Sequence, residues 1–128
     1  MDDPVNLYLS GTGARSEAGL FQLFMRHLPG VACIKDPDSR YLFVNDVWET
    51  VYRRSPMQTL GRLTEELWPA DIAAQYRAND LRVIEGRETV REIEMAPGDD
   101  GLHYWLSHKF PIVQPSGGAV LLGPWQST

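Results

Sequence analysis

The feature that most constrains the fold is a change of hydrophobic period at Gly86. Before it, apolar residues recur at helical spacing in segments separated by Pro, Gly and Ser; after it, they alternate every second residue. The later part reads as three strands, Thr89 to Met95, Leu102 to Val113 and Ala119 to about Trp125. Polar turns at Pro97–Gly101 and Gln114–Gly118 join them. Such a meander hides one face only if helices cover it.

The first part supplies that cover and two more strands. Ser16 can cap a helix from Glu17 that carries Leu20, Phe21, Phe24 and Leu28 on one face and stops at Pro29-Gly30. Val31 to Lys35 and Tyr41 to Val44 read as a hairpin around Asp36-Pro37-Asp38-Ser39. Asn45 caps a short helix with Val47, Trp48, Val51 and Tyr52. Ser55-Pro56 opens a turn closed by Gly61, and Thr64–Leu67 makes another. The longest helix runs from about Ala70 to Glu85, with Gly86 expected at its C-terminal cap. The class is α+β: a five-stranded antiparallel sheet, short helices on one face, and an N-terminal flanking helix.

Length suits one domain, expected over 16–128 behind a loose lead-in at 1–15. Twelve Lys plus Arg against 17 Asp plus Glu leave a net charge of −5, which argues against nucleic acid. No apolar run approaches the roughly 18 residues of a membrane helix, so no membrane contact is expected. The acidic start Met1-Asp2-Asp3 is unlike a signal peptide, and one thiol, Cys33, suits a reducing cytoplasm.

Polar residues out of place mark candidate chemistry. Asp80 falls inside the apolar arc of the long helix formed by Ile72, Tyr76 and Val83, where a carboxylate needs a partner. A fold-stabilising pair is the first reading, a sensing or catalytic carboxylate the second. His103 and His108 lie on opposite faces of one strand and cannot share a metal, so no metal site is expected. His108 shares its face with Tyr104, Leu106 and Phe110. Asn45 reads as a cap and turn device. No nucleophile elbow or phosphate-binding glycine loop occurs, and Asp99-Asp100 and Glu65-Glu66 read as solvated charge, so no catalytic residues are expected.

Taken together, Leu28-Pro29-Gly30, Asp36 before its turn, Phe43-Val44-Asn45, Pro56 to Gly61, Arg82-Val83-Ile84-Glu85-Gly86, Asp100-Gly101, Trp105 and Lys109-Phe110-Pro111-Ile112 resemble the PAS domain (sensory box) family. The resemblance spans about residues 17 to 126. It implies a sensory and dimerisation module of a bacterial signalling protein, fused to a sensor histidine kinase or a cyclic-di-nucleotide enzyme. A cavity between sheet and helices would hold a small ligand, with Ile34, Phe43, Trp48, Tyr76, Met95, Leu106 and His108 as its expected lining. The cofactor is unknown. Haem is disfavoured because the long helix lacks His, and a covalent flavin because the only Cys lies in the first strand. A homodimer is expected through Phe21, Phe24 and Leu28, since that helix is more apolar than one sheet face requires. The family's usual terminal Asp-Ile/Val-Thr is replaced by Gln126-Ser127-Thr128, and a downstream effector domain in a longer parent is expected. Two other readings stand: a pure interaction domain with a self-filled interior, and a small cone-shaped enzyme that would need Asp80 and His108 in one cleft.

Overall fold

The computed structural model describes residues 16–98, 101–114 and 120–127. Elements follow as α1 (Glu17–His27), β1 (Val31–Lys35), β2 (Tyr41–Val44), α2 (Asp46–Tyr52), α3 (Pro56–Thr59), α4 (Thr64–Leu67), α5 (Ala70–Gly86), β3 (Val90–Gly98), β4 (Gly101–Val113) and β5 (Val120–Ser127). The strands form one antiparallel sheet in the order β2-β1-β5-β4-β3. The last strand therefore lies at the centre, between β1 of the N-terminal hairpin and β4. The α+β class is that expected from the sequence.

Local chemistry explains the element ends. Ser16 Oγ accepts from Gly19 N–H, and Ser55 Oγ from Gln58 N–H with the Gln58 side chain reaching back to Ser55. Asn45 does more than cap. Its Oδ1 accepts from Trp48 N–H (3.0 Å) and Ala32 N–H (3.1 Å), and its Nδ2 donates to the Gly30 and Met25 carbonyls (2.9 and 3.2 Å). One amide thus ties the start of α2 to β1 and to α1.

Two boundaries depart from expectation. Gly86 stays helical, and Arg87 takes the left-handed turn at φ 50°. Arg82 bridges Glu88 and Glu92 across that reversal at 3.5 and 2.9 Å. The β3–β4 hairpin is tighter than read: pairing continues through Pro97↔Leu102 to Gly98↔Gly101, and Gly101 adopts φ 121°. Asp99-Asp100 and most of the 114–118 turn fall outside the described residues, as does the 1–15 lead-in.

The core lies between the inner sheet face and the helices, with Val31, Tyr41, Trp48, Trp68, Tyr76 and Trp105 among its buried members. On the outer face, among the described residues, α1 lies over the sheet. None of its residues is buried, and Phe24 stays 63% exposed.

Candidate ligand cavity and its buried charge network

Strand parity decides which side chains meet the helices. From β1 these are Val31, Cys33 and Lys35; from β3, Glu94 and Ala96; from β4, Trp105, Ser107 and Lys109; from β5, Gln126. Helix α5 contributes Tyr76 and Asp80, one turn apart on its buried face.

Four of these are charged and essentially excluded from solvent. Asp80 Oδ2 accepts from Lys35 Nζ (3.1 Å) and Ser39 Oγ (2.7 Å), and its Oδ1 from Lys109 Nζ (2.8 Å). Lys109 also meets Glu94 Oε2 at 2.7 Å, which takes a further bond from Asn79 (2.9 Å). Gln126 Nε2 donates to Glu94 Oε1 (3.3 Å), while its Oε1 accepts from Tyr52 Oη (2.7 Å). Arg77 closes the far end by donating to Ser39 Oγ at 2.7 Å. Two ammoniums face two carboxylates, so the set is neutral and every carboxylate oxygen is engaged. That is the condition under which buried ions are tolerated.

Titration follows from this packing. Burial works to raise the Asp80 carboxyl, but Lys35 and Lys109, with bonds from Lys109 and Ser39, outweigh it and hold the group at about 2. Burial works to lower the Lys35 ammonium, yet Asp80 raises it above the ordinary lysine value. Burial pushes the Cys33 thiol up to about 12 and raises the Tyr41, Tyr52 and Tyr76 hydroxyls.

Against the network lies a cavity of about 20 Å³, walled by the rings of Tyr41, Trp48, Tyr52, Trp68 and Tyr76 and by Lys35, Lys109 and Gln126. Such a space holds about one water. The rings meet edge to face: Trp48 with Trp68 at 6.3 Å, Trp68 with Tyr76 at 5.6 Å. Tyr41 Oη accepts from Trp68 Nε1 (2.9 Å), and the two ammoniums lie over the Tyr41 and Tyr76 rings. The Tyr76 hydroxyl points toward Gln126 but, like Trp105 Nε1 and Ser107 Oγ, makes no hydrogen bond of ordinary geometry.

Of the residues expected to line the cavity, Trp48 and Tyr76 do so. Ile34 faces the opposite side of the sheet, in an apolar groove of about 340 Å³ with Phe21, Phe24, Leu28, Phe110 and Ile112. Phe43 also turns outward, its ring 5.2 Å from that of Phe21. Met95 packs at the edge of the core, its backbone N–H and carbonyl both bonded by the Gln75 amide. Leu106 and His108 require correction. They are out of phase with buried Trp105, Ser107 and Lys109, so they stand on the outer face. Asp80 and His108 therefore lie on opposite sides of the sheet and do not form the pair that the cone-shaped enzyme needed.

Sequence reasoning missed Lys35, Lys109, Glu94, Gln126 and Tyr52. One signal was present. The chain has only two lysines, and both sit in strands in phase with buried neighbours. Asp80, inside an apolar arc, needs a partner, and these two lysines are the candidates. Among the described residues no cluster of His, Cys, Asp and Glu has the arrangement of a metal site, and no helix is long and apolar enough to cross a membrane.

Residues 25–123 match the family model described as PAS fold, and the chain belongs to that family. Over 60 residues it is 38% identical to the methanogenesis regulatory histidine kinase FilI of Methanothrix harundinacea, covering 47% of this chain and 7% of FilI. VqmA of Vibrio cholerae superposes with a TM-score of 0.71 and 25% identity, over 84% of this chain and 50% of VqmA; VqmA is also known bound to DPO. The PAS domain of Bordetella pertussis BvgS superposes at TM-score 0.72 and 16% identity, over 88% of this chain and 86% of that one. The chain thus spans a small fraction of FilI and about half of VqmA.

Proposed function

We propose that this chain is a cytoplasmic sensory and dimerisation module of a signal-transduction protein, which binds a small ligand in the inner cavity and relays its state through β5. The observation that carries this reading is Gln126. It stands on the last strand, yet its carboxamide forms part of the cavity wall, bonded to Tyr52 on one side and Glu94 on the other. An occupant that favours one arrangement of these groups shifts the population of the strand they hold. Similarity to FilI, a histidine kinase, supports an effector of that kind in the parent protein, with a cyclic-di-nucleotide enzyme as the other candidate. Likeness to VqmA, which binds DPO, supports a small diffusible ligand.

Dimerisation is supported by α1. Eleven residues with no buried side chain are too short to hold a helix by themselves, so its apolar face needs a cover. A second reading, an interaction domain without ligand, is favoured by the small size of the cavity. Native mass spectrometry of the purified chain separates the two. A mass above that of the bare polypeptide, released on acid denaturation as a small molecule, supports sensing. Bare polypeptide across expression hosts supports the interaction domain.

A further inference from the structure

One wall of the cavity differs from the rest. Tyr52 is the last residue of α2 and is half-buried, whereas Trp48, Trp68 and Trp105, which surround it, are buried. Its ring centroid lies 5.1, 4.9 and 6.5 Å from theirs, at interplanar angles of 69°, 78° and 61°. Its hydroxyl donates one bond, to Gln126 Oε1. The next residue, Arg53, turns left-handed at φ 55°, so no helix continues beyond Tyr52 to pin it.

We propose that Tyr52 is a built-in plug. It occupies, as an intramolecular ligand, the slot that the diffusible ligand takes when the ring swings outward. The ligand is then an uncharged molecule with a single aromatic ring and one hydroxyl or N–H donor. The proposal rests on the sensing reading and deepens it. Ring size follows from the slot, bounded by three tryptophans. The donor follows from Gln126, whose carbonyl loses its partner when Tyr52 leaves. Neutrality follows from the compensated Lys35–Asp80–Lys109–Glu94 set, which leaves an entering charge unpaired in a dry interior.

The test uses p-cresol, the tyrosine side chain in free form, with toluene (no donor) and 4-methylbenzoate (charged) as controls. Calorimetric titration is combined with NMR of ring-labelled tyrosine. Wild type is expected to bind p-cresol saturably while the Tyr52 signals move to solvent-exposed shifts. Toluene is expected to bind about tenfold more weakly, the worth of one hydrogen bond, and 4-methylbenzoate not at all. Tyr52→Ala, and Tyr52→Phe should the first variant fail to fold, are expected to bind p-cresol more tightly because the plug is absent or unlatched. Binding with Tyr52 signals unmoved, or binding of 4-methylbenzoate as tight as p-cresol, overturns the plug while leaving the sensing cavity standing. Binding by Tyr52→Ala or Tyr52→Phe but not wild type also overturns it. No binding to wild type or variant overturns the plug; the sensing reading falls only if native mass spectrometry also finds the bare polypeptide.

Discussion

Lys109 Nζ, on the central part of β4, lies 2.8 Å from Asp80 Oδ1 on α5, and both side chains are almost wholly buried. This contact clamps the long helix to the sheet. Lys35 makes the same carboxylate a bridge to β1. Removing Asp80 leaves two ammoniums without their shared partner, and breaking a buried pair from one side costs about 3–5 kcal/mol. Asp80→Ala is therefore expected to lower the unfolding free energy by about that amount in urea titration. A loss under about 1 kcal/mol would mean that the network is easily rearranged.

The same group sets the acid limb of stability. The folded chain holds Asp80 at about 2, against an ordinary value of 3.8. Its contribution is complete above about pH 5 and is lost progressively as pH falls through 3.8 to about 2 and below, because the unfolded chain takes up the proton first. The expected loss is about 2 kcal/mol, read by denaturation at stepped pH. Asp80→Asn should flatten that limb. At the other end, Lys35 is raised above its ordinary 10.5, so its contribution is intact below that pH and declines only above it.

Asn45 joins three elements through one amide. Asn45→Ala removes a helix cap worth about 1 kcal/mol and leaves buried backbone groups unpaired at about 1–3 kcal/mol more. A drop of about 2–4 kcal/mol is expected by chemical denaturation. Amide exchange should rise at Ala32 and Trp48 before it rises in β3 or β4.

Cys33 is buried in the cavity wall, and burial pushes its thiol up to about 12. At pH 8 it should stay unreactive toward a thiol-specific disulfide reagent until the chain opens. Labelling as fast as a free thiol would contradict the closed cavity described above.

Phe24 projects from α1 at 63% exposure beside the outer apolar groove. Phe24→Glu is expected to shift the chain from dimer to monomer in sedimentation at micromolar concentration, with unfolding free energy per folded monomer changed by under about 0.5 kcal/mol. A wild type that sediments as a monomer would contradict the proposed dimer.

Much of the fold was legible because local chemistry announces it. Ser16, Asn45 and Ser55 cap the helices that their positions imply. The arc of Ile72, Tyr76, Asp80 and Val83 is the buried face of α5. The site was less legible because alternation gives two faces without saying which one the helices cover. For that reason the pattern alone places His108 and Leu106 on the inner face of β4, whereas they stand on the outer one. Lys109, one residue from His108, was passed over because lysine is seldom buried without a partner, and its partners lie 29 and 15 residues away, at Asp80 and Glu94. Arg87 shows the limit of turn rules. Turn rules favour Gly86 for the reversal, yet the helix runs through it and Arg87 takes the left-handed conformation instead.

Cavity wall and last strand share one polar network, joined at Gln126. Hydrogen exchange on Gln126→Leu tests it most directly. Faster exchange is expected in two places that are distant in sequence, the end of α2 around Tyr52 and β3 around Glu94, together with β5. Faster exchange confined to β5 itself, with α2 and β3 unchanged, would contradict it.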